Sequence, residues 1–170
     1  MSFLDKLKSR KNDVQTLSNL MESSIDHAAA AGSTIAGAHH LALAAFEMED
    51  TTAADALAAL GKTPEDFRSA LSQLDDEALA DLGITAPETE LEPVKRTRLG
   101  KTDATYEAAL QATFELHGKA KDRPDLTSAH VLAGVANVEL GISARVFAAM
   151  NLERAAVIEA CLEGLTLLSR

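Results

Sequence analysis

The sequence predicts an all-α protein, and three observations carry that reading. Of its 170 residues 46% are hydrophobic, yet alanine and leucine dominate that share and aromatics reach only 4%. Both are strong helix formers, and small side chains let helices approach closely. The second observation is punctuation: apolar residues recur at helical spacing between Gly, Pro and Thr/Asp stops and starts. The third is an internal repeat. The stretch Ala36 to Gly61 returns ninety residues later as Ser128 to Asn151, placing His40 on His130, Glu49 on Glu139, Ala54 on Ala144, Ala58 on Ala148 and Ala59 on Ala149. Each copy ends 21 positions after its histidine, at Gly61 and Asn151, the two residue types that best tolerate a left-handed helix end. A fixed offset across several residue types marks a duplication.

Taken in order, Ser2 to Leu7 reads as a short entry helix or a frayed terminus within an N-terminal extension, residues 1–12. The first repeat, 13–84, opens on a helix from Asp13 to about Ala31 whose face is Val14, Leu17, Leu20, Met21, Ile25 and Ala28. Gly32 stops it, and Ser33 to Gly37 is a loop with Ile35 as its buried anchor. A second helix spans about Ala38 to Met48, and Thr52 caps a third over Ala53 to Leu60. Thr63-Pro64-Glu65-Asp66 starts a fourth: an N-cap threonine, proline at the first position and acids in the first turn. Asp75 to Leu82 adds a short acidic helix ended by Gly83.

Residues 85–101 read as a charged linker between the halves. It holds Pro87 and Pro93 without helical period, and its sign changes from Glu88, Glu90 and Glu92 to Lys95, Arg96, Arg98 and Lys101. The second repeat, 102–170, begins with a helix capped by Thr102 or Asp103 and stopped at Gly118. Helices over Ser128–Val138, Ser143–Met150 and Glu153–Leu167 follow. Neither half has a comfortable apolar surface alone, so the two repeats are expected to pack into one unit of about eight helices around an approximate two-fold axis.

Bulk charge narrows the partners. A formal charge of −10 opposes binding to nucleic acid or to an anionic membrane, since both need a basic face. The lone Cys161 has no intramolecular disulfide partner and reads as a small buried hydrophobe. Lys6, Lys8, Arg10 and Lys11 are followed by no apolar segment, so the N-terminus does not read as a secretion signal, and the expected location is cytoplasmic.

The motifs that would indicate catalysis are incomplete. Gly61-Lys62-Thr63 and Gly100-Lys101-Thr102 both spell the end of a phosphate loop, but the glycine required five residues earlier is Ala56 in one case and Lys95 in the other. Adjacent His39 and His40 point about 100° apart on a helix and cannot grip one metal from one face. His27, His117 and His130 lie in no zinc-ligand spacing. The repeat assigns His40 and His130 a structural role: each opens the second helix of its half, where an imidazole can bond the loop backbone. Expected, therefore, are no enzyme activity, no cofactor and no metal.

The pattern Ile35, Gly37, His40, Leu41, Leu43, Ala44, then Ala54, Leu57, Leu60 and Gly61 resembles the Clp N-terminal repeat of ClpA- and ClpC-type unfoldases. The second half resembles it more loosely through Leu126, His130, Val131, Leu132, Ala144, Val146 and Met150. The resemblance spans about residues 13–168. It implies two four-helix repeats about a pseudo-two-fold axis, serving as a docking platform for adaptors and substrates. It further implies a free-standing version without an ATPase module, similar to stand-alone proteins of actinobacteria that bind what the ClpC domain binds and so shield or modulate the unfoldase. Where ClpC-type domains carry glutamates that help to hold phosphorylated arginine, this chain has His39 and Ala129. Removing those acceptors weakens the grip on a guanidinium. The expected function is protein or peptide binding in Clp protein quality control, with His39, Lys95, Arg96, Arg98, Lys101 and Thr102 as docking residues. His40, His130, Gly61 and Asn151 are structural. The alternative is a structural or self-associating helical protein that has lost docking.

Overall fold

The computed structural model describes residues 3–81, 101–119 and 125–168. Within these the protein is all-α, with eight helices and one pair of two-residue strands. The order is α1 (Phe3–Ala30), β1 (Ile35–Ala36), α2 (Ala38–Phe46), α3 (Thr52–Ala59), α4 (Pro64–Asp81), β2 (Lys101–Thr102), α5 (Ala104–Lys119), α6 (Ser128–Ala136), α7 (Ile142–Ala149) and α8 (Arg154–Leu168).

Helices α2 and α6 sit at the centre because they carry almost nothing polar. Every residue of α6 is buried, as are Ala38, His40, Leu41, Ala42, Ala44 and Ala45 of α2. A helix apolar all round must be covered on all sides. Accordingly α5, α8, α3 and α2 pack against α6, while α1, α5 and α6 pack against α2. Alanine and glycine at the crossings bring backbones close. A Cβ on Gly134 of α6 would lie 2.6 Å from the Ala109 carbonyl oxygen and collide with the Thr113 hydroxyl of α5. Thr113 directs that hydroxyl back to Ala109 O at 2.8 Å, so the tightest crossing leaves no buried donor unsatisfied.

Contacts cross the midpoint of the chain repeatedly. Helix α3 packs on α8 as well as α6, and α4 packs on α7. Edge-to-face rings run from Phe46 through Phe67 to Phe147, at 5.4 and 5.6 Å between centroids. The Ser24 hydroxyl of α1 meets the Tyr106 hydroxyl of α5 at 3.0 Å, buried. The buried apolar residues form one continuous core drawn from both sides of the linker.

Several expected boundaries shift. The entry helix and the helix from Asp13 are one element, α1, because nothing between Leu7 and Asp13 breaks a helix. The acidic segment from Asp75 likewise continues α4 as far as Asp81. Gly118 does not stop α5, which runs to Lys119; a single glycine costs a helix only about 1 kcal/mol. Ile35 is not the buried anchor of its loop: it is 45% exposed, and Ala36 is the buried residue. The cause is pairing of Ile35–Ala36 with Lys101–Thr102 as parallel strands, whose side chains alternate between faces. Thr52 does not cap α3; Thr51 does, in the left-handed conformation (φ 54°). At α5 the cap is Asp103, whose Oδ1 accepts from Tyr106 N at 2.9 Å.

Candidate docking seam

The seam is built where α1 ends and α2 begins. Gly32 (φ 72°) closes α1, with Ser33 N donating to Ala28 O at 2.8 Å. Ser33 then folds the loop locally: its hydroxyl donates to Ile35 O at 2.8 Å and accepts from Ile35 N at 3.1 Å. β1 pairs with β2 in the register Ile35 to Lys101 and Ala36 to Thr102, and Asp103 N donates to Ala36 O at 3.0 Å. Two residues further, the Thr105 hydroxyl accepts from Ala38 N at 3.1 Å and donates to Asp103 Oδ1 at 2.6 Å. The start of α5 is thereby fastened to the start of α2.

His40 occupies the third position of α2, and its Nδ1 accepts the Gly37 backbone N–H at 3.0 Å. His130 repeats this in α6, accepting from Thr127 N at 3.2 Å, with the Thr127 hydroxyl 2.9 Å away. The two N-cap residues share one extended backbone, φ −109° and ψ 175° at Gly37 against φ −117° and ψ 165° at Thr127. An imidazole that accepts through Nδ1 must be neutral there. Burial enforces neutrality: it lowers the His40 pKa to about 3, with His39 and His27 adding to the effect, and that of His130 to about 4, helped by His117.

Gly61 and Asn151 also behave alike. Both have positive φ, 71° and 55°, and each is followed by a bond back to the preceding helix: Lys62 N to Leu57 O at 3.0 Å, and Leu152 N to Phe147 O at 2.9 Å. These are Schellman-type helix ends.

His39 is half-buried, with its ring 3.9 Å from that of His40. Burial lowers its pKa to about 4, against an opposing pull from Asp103. Both side chains crowd Gly37, where a Cβ would lie 2.9 Å from Asp103 Oδ2 and 3.0 Å from His39 Cε1. Lys101 is exposed beside Ile35, and half-buried Thr102 places its hydroxyl 3.5 Å from Glu107 Oε1. Of the expected docking residues, His39, Lys101 and Thr102 therefore gather around the β1–β2 pair. Lys95, Arg96 and Arg98 lie outside the described residues. Ala129 is buried at 1% exposure.

The corresponding place at the start of α6 is closed differently. Asp50, from the turn after α2, accepts from Ser128 N at 3.0 Å and from the Ser128 and Thr52 hydroxyls at 2.6 Å each. The Thr52 hydroxyl accepts from Ala129 N at 2.9 Å, and the Ser128 hydroxyl accepts from Ala53 N at 2.9 Å. Two helix N-termini, α3 and α6, thus share one carboxylate and two hydroxyls. Burial alone would raise the Asp50 pKa, but the bonds from Ser128 and Thr52 outweigh it and hold the carboxyl below its usual range.

Sequence reasoning missed this cluster, and it weighed two further histidines only as metal ligands, without the contacts they make. His27 and His117 are also ninety residues apart, so the offset that singled out His40 and His130 was the available signal. His27 Nε2 lies 3.1 Å from Glu47 Oε2, and His117 Nε2 lies 3.8 Å from Asp13 Oδ2. The His117 ring meets His130 edge-on at 5.2 Å. Asp13 in turn accepts from Leu126 N at 2.8 Å, tying α1 to the segment before α6. Cys161 is fully buried, and burial raises its thiol pKa to about 12, far from nucleophilic use. Among the described residues no group of three His, Cys, Asp or Glu side chains is placed to hold a metal, and no helix is long and apolar enough to cross a membrane.

Neither a family model nor a curated protein matches the chain.

Proposed function

We propose that the chain is a non-catalytic protein- or peptide-binding module of the Clp quality-control type, built from two repeats about a pseudo-two-fold axis. It modulates or shields a Clp unfoldase by engaging its substrates, adaptors or ligands. One observation carries this reading: the β1–β2 pair, stapled by Asp103 and Thr105, holds Ile35, Lys101, Thr102 and His39 on a hydrogen-bonded and partly exposed ledge. A preorganised ledge loses little entropy when a partner segment settles on it. The matching caps at His40 and His130, and at Gly61 and Asn151, support the two-repeat origin.

The ledge does not favour phosphorylated arginine. Its His39 is neutral and the Asp103 carboxylate beside it already accepts intramolecular bonds, while at the corresponding place on α6 Ala129 is buried and Asp50 is likewise engaged. An unmodified segment gripped by backbone and apolar contact suits the site better. The test is affinity capture from cytosol with the immobilised chain. The expected result is recovery of a Clp unfoldase, its adaptors or its substrates, lost with Lys101→Glu and Thr102→Ala. Capture of none of these would refute the reading.

A second reading, self-association without docking, has its own observation. Leu140 is 80% exposed and Val14 69%, with Ile142 at 39%. A stable dimer in sedimentation that Leu140→Ser dissolves, with no unfoldase partner captured, would establish that reading instead.

A further inference from the structure

Helices α2 and α3 return as α6 and α7 with every bound displaced by ninety residues. The start of α3 can therefore be laid on the start of α7, and the two are finished differently. At α3, Thr52 N donates to Asp50 Oδ1 at 3.0 Å and Ala53 N to the Ser128 hydroxyl at 2.9 Å. The corresponding donors at α7 are Ile142 N and Ser143 N, but Leu140 stands in the place of Asp50 and Ala38 in that of Ser128. Neither side chain can accept a hydrogen bond. The cap residue, Gly141 (φ 104°), has no side chain to offer either. Charge changes in the same sense: α3 carries Asp55 in its first turn, whereas α7 has the exposed Arg145 in that place and no acid. The adjacent Glu139 lies 4.0 Å from the Arg154 guanidinium. A further donor is buried here. Ser143 is 1% exposed, and its hydroxyl meets no hydrogen-bond partner among the described residues. Helical Cα–Cβ bonds lean toward the N-terminus, so that hydroxyl is aimed back at the open end of its turn. The start of α2 is close by: Thr105 bonds Ala38 N at 3.1 Å, and a Cβ on Gly141 would lie 3.0 Å from Thr105 Cγ2.

We infer that the start of α7 is a carboxylate-binding site, in which a carboxylate brought by another molecule takes the position that Asp50 holds at α3. It accepts from Ile142 N, Ser143 N and the Ser143 hydroxyl, and Arg145 supplies positive charge one turn on. A helix N-terminus favours negative charge by itself. Here a buried hydroxyl and a cation in place of an acid act with it. The counterpart selects the ligand: at α3 a carboxylate already serves two helix starts, through Thr52 N and Ser128 N. Exposed Gly141 and Ile142 leave the approach open. The site shares Thr105 with the staple of the β1–β2 ledge, but it stands whether or not that ledge binds anything.

The test is a proton–nitrogen NMR titration of the whole chain with sodium acetate, ionic strength being held constant with sodium chloride. A second arm uses a short peptide blocked at both ends with one central aspartate, and its asparagine analogue. Acetate and the aspartyl peptide are expected to shift the amide signals of Ile142, Ser143 and Ala144 saturably, and the asparagine peptide is not. Tighter binding of the aspartyl peptide assigns the site to a protein partner, and equal binding to a small free carboxylate; either upholds it. Ser143→Ala should weaken binding about tenfold. Leu140→Asp, at a position 80% exposed, supplies the carboxylate from within the chain. It should abolish the response and raise the melting temperature. Leu140→Ala removes the same leucine without adding an acceptor, and Val14→Asp adds the same charge on α1; both should keep the response. Circular dichroism checks that each variant is folded, and Leu140→Asp carries the test if Ser143→Ala is not. Signals that stay in place, or that move as far with chloride alone, would overturn the proposal. So would a response that survives unchanged in Leu140→Asp or that Val14→Asp abolishes equally.

Discussion

Asp50 and Ser128, 78 residues apart in sequence, make a double contact: the carboxylate accepts both the backbone N–H and the hydroxyl of Ser128, at 3.0 and 2.6 Å. The turn after α2 is thereby locked to the first turn of α6. Since Ser128 also accepts from Ala53 N, one hydroxyl fixes the start of α3 as well. Removing it in Ser128→Ala leaves the buried Ala53 N–H without its acceptor and takes one of several donors from the Asp50 carboxylate, at a cost of about 1–3 kcal/mol. Thermal melting should show a drop of several degrees. Asp50→Asn should lower it too, and the double variant should lose less than the two single losses combined, because both act on one network. Strictly additive losses would show that the contact does not couple the helices. The acid limb follows from the depressed Asp50 pKa: the stabilisation is complete above the ordinary carboxylate value of 3.8 and is lost as pH falls through the lower folded value.

The buried imidazoles give a second handle on pH, of the same sign but acting at higher pH. His39, His40 and His130 stay neutral in the folded chain down to about pH 4, 3 and 4, whereas the unfolded chain protonates them near 6.5. The unfolded state therefore binds more protons below 6.5, and stability falls as pH drops from there toward 4. The slope is up to about 1.4 kcal/mol per pH unit for each group. Denaturant midpoints between pH 7 and 4 should trace this decline. His130→Ala should be less stable at pH 7 and show a shallower decline, and His40→Ala likewise. A flat profile in the parent protein would contradict the buried, neutral assignment.

Two glycines in helices should respond oppositely to alanine. At Gly134 a Cβ meets Ala109 O and the Thr113 hydroxyl, so Gly134→Ala should destabilise by about 1–3 kcal/mol through overpacking. Adding Thr113→Ala should restore only part of the loss, because the carbonyl stays in place. At Gly118 a Cβ meets nothing within 4 Å, and Gly118→Ala should stabilise by up to about 1 kcal/mol. Denaturant titration of the three variants checks the set; a stabilised Gly134→Ala would refute the close α5–α6 crossing.

The two left-handed helix ends make a matched pair. Asn151→Gly relieves a residual steric cost at φ 55° and should leave the protein as stable or slightly more so. Gly61→Ala places a Cβ in that region and should cost about 1 kcal/mol, whereas Asn151→Ala only exchanges an αL-tolerant side chain for a less tolerant one and should cost less. Opposite signs at the two positions would separate roles that their equal hydrogen bonding unites.

How far the sequence led can be followed residue by residue. Thr63 and Pro64 announced the start of α4 because a cap is local chemistry: Asp66 N donates to the Thr63 hydroxyl at 3.2 Å, and Thr63 N to Asp66 at 2.8 Å. Gly61 and Asn151 were readable for the same reason. Ile35 misled, because an isoleucine in a short loop reads as an anchor unless its strand partner is known, and that partner lies 66 residues away at Lys101. Thr52 misled similarly: its hydroxyl serves α6 rather than its own helix. Contacts between distant segments leave no periodicity behind, and apart from the local Asp50–Thr52 bonds the Asp50–Ser128 network consists of them. Of the docking residues, the ninety-residue offset and the family resemblance reached His39 and Thr102, but neither could show that Asp103 and Thr105 build the ledge on which they sit.

The central claim is that this two-part helical unit docks polypeptide partners of a Clp unfoldase at the β1–β2 ledge. It is tested most directly by the rate at which a ClpC-type unfoldase and its protease degrade a model substrate as the purified chain is titrated in. The account predicts a dose-dependent change in that rate, absent with a Lys101→Glu/Thr102→Ala variant that melts at the parent temperature. A rate that stays constant across the titration, or that the variant alters as strongly as the parent, would contradict it.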